Sequence, residues 1–245
     1  MKRSISKAAV HRRKSPLKLS PQKKKQVQSY HHGALRTALL DAAEHLLVHE
    51  GISGLTLRAA ARAAFVSHAA PKNHFGDLSG LLSELAALGF ERFRAAMLAN
   101  TSDHQSQAER RSAIGRGYVD FAKVNPALFL LMFRRERLDF GRPALAKAAK
   151  AAFEVLASLH GERQPERQES ELTVAQAAQL AKSWGQVHGL ALLIIDGQLR
   201  PILSRLPDGT GENELLNEIF SDAAAERDRD GDERRNRKGE QSDQS

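Results

Sequence analysis

The stretch TLRAAARAAFVSHAAPKNHF, residues 56–75, decides the fold, because two short helical patterns stand here on either side of a tight turn. Thr56 is placed to cap the first pattern, LRAAARAA, through its hydroxyl, and Ser67 is placed to cap the second, HAAPKNHF. With Ser67 as the cap, Pro71 falls early in a helix of about eight residues, where its missing N–H costs little. Two short helices joined by a tight turn predict a helix-turn-helix unit.

The sequence around this unit is basic. Residues 51–76 hold two arginines, one lysine and two histidines but no Asp or Glu. Such an excess of bases, beside the free N–H groups of a helix N-terminus, suits the phosphates of DNA. The predicted DNA-binding surface consists of Thr56, Arg58, Ser67, His68, Ala69, Ala70, Lys72, Asn73 and His74. The structural alternatives are plain capping by Thr56 and Ser67, and packing of His74 beside Phe75.

Roles within this surface depend on position in the second helix. His68, Ala69 and Ala70 occupy the exposed first turn, where recognition helices meet base edges and alanine methyls can sit against thymine methyls. Asn73 is suited to pair with adenine, and Lys72 would lie towards the phosphate backbone, as would the neighbouring histidine.

The composition favours a helical protein. Of the 245 residues 41% are hydrophobic and only 5% aromatic, with Ala, Leu and Arg abundant. The absence of cysteine excludes disulfides and thiolate metal sites and suits a reducing cytosol. The longest purely apolar runs have seven residues, far below the ~18 that a membrane-spanning helix needs. We therefore expect a soluble protein of the cytoplasm.

The net charge of +8 comes from the N-terminal end. Residues 1–30 hold ten Lys and Arg and no acid, whereas the rest of the chain is slightly acidic. Residues 1–29 are therefore predicted to form a disordered basic arm, and residues 227–245 a disordered tail of mixed charge. The arm either merely solvates the chain or holds a polyanion electrostatically.

Apolar residues recur at three- and four-residue steps, which predicts an all-α protein of about nine helices. The first runs from Gly33 to near Glu50, with Gly51 as its left-handed cap. A long helix is predicted from Asp77 to about Asn100, and later ones at roughly 108–124, 126–138, 143–160, 172–197 and 212–226. The predicted units are a DNA-binding head at 30–80 and a C-terminal ligand-binding and dimerisation bundle at 81–226.

The helix-turn-helix stretch resembles the signature of the tetracycline-repressor (TetR) family, in which a Thr opens the second helix and a Val-Ser opens the recognition helix. YHHGALRTALLDAA (30–43) and SWGQVHGLALLIIDG (183–197) resemble a subgroup marked by a Trp and a His-Gly in its C-terminal domain. The resemblance extends over roughly residues 30–226. It implies an all-helical homodimer with N-terminal DNA-binding heads and a C-terminal regulatory bundle, most often a repressor that a small molecule releases from DNA. It also implies a protein of the bacterial cytoplasm, associated with the nucleoid when it is bound to DNA.

Three residues depart from the family pattern. Phe65 stands where the family usually has Gly, and a bulky residue there costs about 1–2 kcal/mol if the turn needs a positive φ. Lys72 replaces the aromatic residue that usually contacts phosphate, and can still act there as a point charge. Leu78 replaces a usual Lys or Arg and, having no charge, cannot contact phosphate in this way.

The C-terminal half contains a candidate ligand site. Trp184 and His188 lie one helical turn apart on one face, and Phe121, Phe129 and Phe133 are available nearby in a bundle. Aromatic walls with one polar group suit an apolar or aromatic effector. The alternative is that these residues belong to the core or to a dimer interface.

The last two long helices also carry apolar stripes, which suit a four-helix dimer seam. The stripes are Val174, Ala177, Ala181 and Ala191 on the first helix, and Leu215, Leu216, Ile219 and Phe220 on the second.

Neither a catalytic nor a metal centre is predicted. His45 and His49 have a spacing that can ligate a metal, but no third ligand accompanies them, so a solvated helix face is favoured. No nucleophile–base pair is visible, which disfavours an enzyme, and no cofactor is expected. The sequence favours a ligand-responsive repressor that binds a palindromic operator in double-stranded DNA as a homodimer. The alternative is a helical interaction protein that binds nucleic acid non-specifically through its basic arm.

Overall fold

The computed structural model describes residues 21–159 and 172–221, with side chains from Gly33 onwards, and these ranges are helical without a strand. The helices are α1 (Pro21–Gly54), α2 (Leu57–Ala63), α3 (Ala70–Phe75), α4 (Leu78–Leu98), α5 (Gln107–Val124), α6 (Pro126–Met132), α7 (Pro143–Ala157), α8 (Val174–Ile195), α9 (Arg200–Leu203) and α10 (212–221). A 3₁₀ turn, Arg135–Arg137, follows α6. The all-α prediction is confirmed.

Side-chain caps define where several helices begin. The Thr56 hydroxyl accepts from the N–H of Ala59 over 3.0 Å, and the Asp77 carboxylate accepts from the N–H of Gly80 over 2.7 Å. Ser106 and Glu109 form a reciprocal capping box at the start of α5. Each cap stabilises its helix by about 1 kcal/mol, because it satisfies an N–H that has no partner inside the helix.

The first helix begins earlier than predicted. It starts at Pro21 rather than Gly33, so residues 21–29, predicted as part of the disordered arm, are helical. Proline is favoured at a first helical position, and the Gln and Lys residues that follow are good helix formers. Gly51 interrupts α1 with φ 69° and ψ −177°, so its φ is positive as predicted, but its ψ lies outside the left-handed helical region expected of a cap. The rest of the predicted arm and the tail at 227–245 lie outside the described residues.

The predicted helix at 126–138 is shorter than expected. Its α-helical part ends at Met132, and the 3₁₀ turn and an extended Leu138 lead to the start of α7. This connection places Asp139 and Arg142 beside α4, where the backbone N–H of Asp139 donates to the hydroxyl of Ser83 over 2.8 Å. The loop is therefore anchored to the long helix.

Helix α4 joins the N-terminal head, α1–α3, to the C-terminal bundle. It packs against α1 and α3 at one end and against α5, α6 and α7 along its length. Its buried side chains, such as Leu81, Leu85, Phe93 and Met97, belong to a core that continues from Leu39 in the head. A continuous core therefore connects the bundle to the head through α4. No helix among the described residues has the length and apolarity to cross a membrane.

Candidate nucleic-acid interface

The structure presents most of the predicted DNA-binding residues on one exposed part of the head. Thr56 and Arg58 are exposed at the start of α2, and exposed Arg62 lies one turn further along the same helix. On and just before α3 the exposed side chains are Ser67, His68, Ala69, Lys72 and Asn73. The stretch contains no acid, so a polyanion meets no opposing charge within residues 51–76.

Ser67 does not cap the recognition helix. Helix α3 begins at Ala70, two residues later than a Ser67 cap predicts, and its N-cap, Ala69, makes no side-chain cap bond. The carbonyl of Ser67 instead accepts from the N–H of Ala70 over 3.0 Å, which closes a tight turn before the helix. Pro71 consequently lies in the first turn, where no intrahelical N–H bond is lost, so its predicted early position holds.

The predicted contact of Ala70 with a base is wrong. Ala70 is only 7% exposed and packs in the core of the head together with Phe75, so its methyl cannot face a groove. The turn before α3 rotates the helix so that Ala70 and Pro71 face inward and Lys72 and Asn73 face outward. The groove-facing candidates on α3 are therefore Lys72 and Asn73.

His74 lies between the surface and the core. It is half-buried at the C-terminal end of α3, with its ring centroid 6.1 Å from that of Phe75. Phe75 is fully buried, as its predicted core role requires. The packing alternative for His74 is thus present in the structure, and a phosphate contact by His74 stays a prediction.

Phe65 occupies a strained turn. Its φ of 55° makes it the one non-glycine residue with positive φ among the described residues, and its side chain is 96% exposed. The left-handed region costs a residue with a Cβ about 1–2 kcal/mol, and an exposed ring recovers little of this by packing. The sequence-based concern about this position is confirmed.

Phe65→Gly is expected to stabilise the protein by about 1 kcal/mol, because glycine adopts positive φ without a steric penalty. For a domain of this size the melting temperature would rise by about 2–4 °C. Phe65→Ala is the matched control, since it removes the ring but retains the Cβ and the strain. Thermal unfolding measures both, and a lower melting temperature for the glycine variant would contradict the assignment of strain.

The five predicted ligand-site residues are brought together in the bundle, but as a packed aromatic cluster. Phe129 lies 5.0 Å from Phe133 and 5.4 Å from His188, and Phe133 lies 4.6 Å from His188, between ring centroids. Trp184 lies 6.5 Å from His188, and Phe121 packs beside them through Phe93. Because these rings contact one another, the arrangement supports the core alternative, and an effector would have to displace a ring.

Tyr118, at the centre of this cluster, was not predicted. It is fully buried, and its hydroxyl accepts from Trp184 Nε1 over 3.3 Å and lies 2.8 Å from His188 Nδ1. Since the indole N–H can only donate, the hydroxyl is free to donate to Nδ1 of a neutral histidine. Burial raises the pKa of Tyr118 and lowers that of His188, so both rings are held neutral. Tyr118 lies one turn from Phe121 on α5, a spacing that could have revealed it.

His188 should make the stability depend on pH. Its pKa is lowered by burial in the folded protein, so the unfolded chain binds the proton more readily. This contribution to stability is present above the ordinary histidine pKa of about 6.5 and is lost as the pH falls below it. Wild type is therefore expected to lose stability relative to His188→Gln between about pH 8 and pH 5, a range that spans the ordinary histidine pKa. Denaturant titration at each pH measures the difference in unfolding free energy between the two proteins. A difference in unfolding free energy that stays constant across this pH range would contradict the prediction.

A groove of about 670 Å³ lies elsewhere on the bundle. It is lined by α4, α5 and α7, with cationic Arg94, Arg110 and Lys147 and acidic Glu91 and Glu154 around an apolar floor. Its volume is in the range of small-molecule sites. None of the predicted ligand-site residues lines it.

The two histidines with metal-ligand spacing lie on α1 in ring contact. The centroids of His45 and His49 are 4.2 Å apart. Within residues 33–159 and 172–221 no group of three His, Cys, Asp or Glu side chains is arranged to hold a metal ion.

Comparison with known proteins identifies a matching domain family and a related protein. Residues 112–212 match the family of tetracyclin repressor-like C-terminal domains. Over 97 residues the chain is 27% identical to the HTH-type transcriptional regulator YobS of Bacillus subtilis, and this match spans 40% of the chain and half the length of that relative.

Solved structures share the fold over most of the chain. A protein of Rhodococcus sp. RHA1 with unknown function is 30% identical, covers 81% of this chain and 97% of its own, and superimposes with a TM-score of 0.62. The TetR family transcriptional regulator PfmR of Thermus thermophilus is 18% identical, with 76% and 97% covered and a TM-score of 0.51, and shows the shared fold. Residues 112–212 of the chain therefore belong to the family of tetracyclin repressor-like C-terminal domains, and the chain shares the fold of TetR family regulators over most of its length.

Proposed function

We propose that this protein is a sequence-specific DNA-binding repressor that a small molecule releases from a palindromic operator. The observation that carries the proposal is the exposed, acid-free surface of α2 and α3, with Arg58, Arg62, Lys72 and Asn73. The arginines and the lysine can contact phosphates, while Asn73 has the amide that pairs with adenine in the major groove. The family consists of transcriptional regulators, so we assign no enzymatic activity.

The operator is proposed to be palindromic because the protein is proposed to be a homodimer. Helix α8 is strongly apolar, yet within the described residues only Leu180 and Ala191 of this helix are buried. One face of it exposes Val174, Ala177, Ala181 and Gly185, and Val174 is 89% exposed. Small residues let a second α8 approach closely, so a two-fold seam would cover this face.

The seam differs in detail from the predicted stripes. Ala191 and Leu216 are fully buried within one chain and cannot contribute to it. Phe220 packs on Gly115 of α5, where an added Cβ would lie 2.6 Å from its ring. The face proposed here is therefore the N-terminal half of α8, from Val174 to Gly185, with exposed Ile219 of α10 as a further candidate.

In the proposed mechanism a ligand bound to the bundle changes the separation of the two heads. Two recognition helices fit successive major grooves only when they lie about 34 Å apart, one turn of B-DNA. A ligand that binds better to a dimer with another spacing shifts the population away from the DNA-bound form. The effector is proposed to be apolar or aromatic, and because the aromatic cluster around Tyr118 is packed, an effector would have to displace one of its rings to bind there. A regulator of chromosomal genes has its expected place in the bacterial cytoplasm.

DNA selection from a random pool with the purified dimer tests this function. We expect a consensus with two inverted half-sites, and loss of binding to it in Asn73→Ala and Lys72→Ala. Lys123→Ala, which breaks an ion pair with Glu212 in the bundle, is the control on a surface away from the head. A pool that stays random after selection would refute the proposal.

The second candidate function, non-specific binding through the basic arm, predicts binding that has no preferred sequence and depends on the arm. Residues 1–20 contain seven Lys and Arg, so their deletion should make the plot of log affinity against log salt less steep if the arm contacts phosphates. In our proposal the deletion lowers this slope but leaves the preferred sequence unchanged, as fluorescence anisotropy at several salt concentrations would measure. An unchanged slope would show that the arm does not contact DNA.

A further inference from the structure

The recognition helix is held at its C-terminal end by a residue of the bundle. Arg142, which directly precedes α7, donates from Nη2 to the carbonyl oxygen of Phe75, the last residue of α3, over 2.6 Å. Carbonyls at a helix C-terminus have no partner inside the helix, and the helix dipole favours a cation there. A hydrogen bond from a charged guanidinium is also stronger than one between neutral groups. This contact therefore fixes the end of α3 to the start of α7.

Glu84 of α4 holds the same guanidinium from another side. Its carboxylate, mostly buried, lies 3.6 Å from Nη1 of Arg142 and forms an ion pair with Arg36 of α1. Arg36 in turn places its guanidinium carbon 5.9 Å from the centre of the Phe75 ring. Three helices, α1, α4 and α7, thus meet at the last residue of the recognition helix.

The backbone provides the space for this contact at Gly80. A Cβ on Gly80 would overlap both the carbonyl oxygen of Phe75 and Nη2 of Arg142, which no packed structure tolerates. Glycine at this position of α4 is therefore what allows the guanidinium to reach the end of α3. The donor Arg142, the acceptor Phe75 and the space at Gly80 come from three separate parts of the sequence.

We propose that Arg142 is a positioning residue for DNA recognition, which fixes the orientation of α3 and links it to the regulatory bundle. The inference rests on the proposed function, because it takes α3 as the helix that reads DNA. Helix α7 packs along α4 and, from Ala144 onwards, lines the groove of the bundle. A change in the bundle that displaces the start of α7 withdraws Arg142 from Phe75 and frees the end of α3.

The test compares Arg142→Ala and Arg142→Lys with wild type in the full chain. The first measurement is the ratio of affinities for the selected operator and for a random duplex. The second is hydrogen exchange at the end of α3, measured at the backbone amides of Asn73 and Gly76, which donate to the carbonyls of Ala69 and Lys72 respectively. Arg142→Ala should lower the ratio by about tenfold or more and speed the exchange, while affinity for the random duplex stays the same. Arg142→Lys retains the positive charge but loses the planar set of guanidinium donors. Its affinity ratio and exchange rates should lie between those of wild type and Arg142→Ala.

Arg134→Ala is the control, since Arg134 is an exposed arginine of the same connection that pairs with Glu136 at 3.7 Å. An unchanged ratio and unchanged exchange in Arg142→Ala would overturn the proposal, as would an equal loss in Arg134→Ala. Equal loss of operator and random binding would also overturn it, because that indicates a general phosphate contact. If Arg142→Ala does not fold, the comparison of Arg142→Lys with wild type tests the proposal instead. If wild type selects no DNA sequence, the proposed function fails and the exchange comparison alone decides the role of Arg142.

Discussion

Gly185→Glu is expected to separate the proposed dimer into monomers and to lower operator affinity by about a hundredfold or more, because two monomers then bind the half-sites independently. In a single chain an added Cβ at Gly185 meets no atom within 4 Å, so the fold tolerates the side chain. Across a two-fold seam, however, each glutamate faces the same surface of the other copy, where it is buried without a partner and repelled by its equivalent.

Gln179→Glu is the matched control for this variant. Gln179 is exposed on the same helix but lies roughly a third of a turn away from Gly185, so it adds the same charge outside the proposed seam. Light scattering coupled to size exclusion measures the mass of each variant. A dimeric Gly185→Glu protein would show that the seam lies elsewhere.

Phe129→Ala is expected to lower the free energy of unfolding by about 3–5 kcal/mol, the usual cost of removing a fully buried aromatic ring. Phe129 has no exposed surface and contacts the rings of Phe93, Tyr118, Phe133 and His188. Against a typical total stability of about 5–15 kcal/mol this loss is large, and it corresponds to a fall in melting temperature of about 6–20 °C.

Phe153→Ala is the control for this prediction. Phe153 is 40% exposed and contacts the cluster only through Trp184, at 6.0 Å between ring centroids, so its loss should cost about 1 kcal/mol. Thermal unfolding at one protomer concentration measures both variants. Equal losses would mean that the aromatic cluster is not the rigid core that its geometry indicates, and would favour a loosely packed ligand site.

Local signals in the sequence were sufficient for the helix-turn-helix. The Thr56 hydroxyl caps α2 as predicted, and the unusual turn residue Phe65 has the positive φ that its position requires. The register of α3 was not predictable, because a serine suits both a helix cap and the tight turn that precedes this helix. The helix starts two residues later than predicted, and Ala70, expected in the exposed first turn, is buried in the core.

Contacts between distant residues could not be predicted. Trp184 and His188 are four residues apart, so their common face was visible, but the hydroxyl that joins them comes from Tyr118 of another helix. The contact of Arg142 with Phe75 spans 67 residues and depends on the gap at Gly80. Periodicity indicates which side of a helix is buried, but it does not indicate which helix lies opposite.

The most direct test of the account is footprinting of the dimer on the selected DNA in the presence of excess random duplex. We predict a single protected region with two inverted half-sites, centred about one helical turn apart, that persists in the excess. Protection that disappears in proportion to the added random DNA, with no preferred site, would contradict the assignment of a sequence-specific regulator.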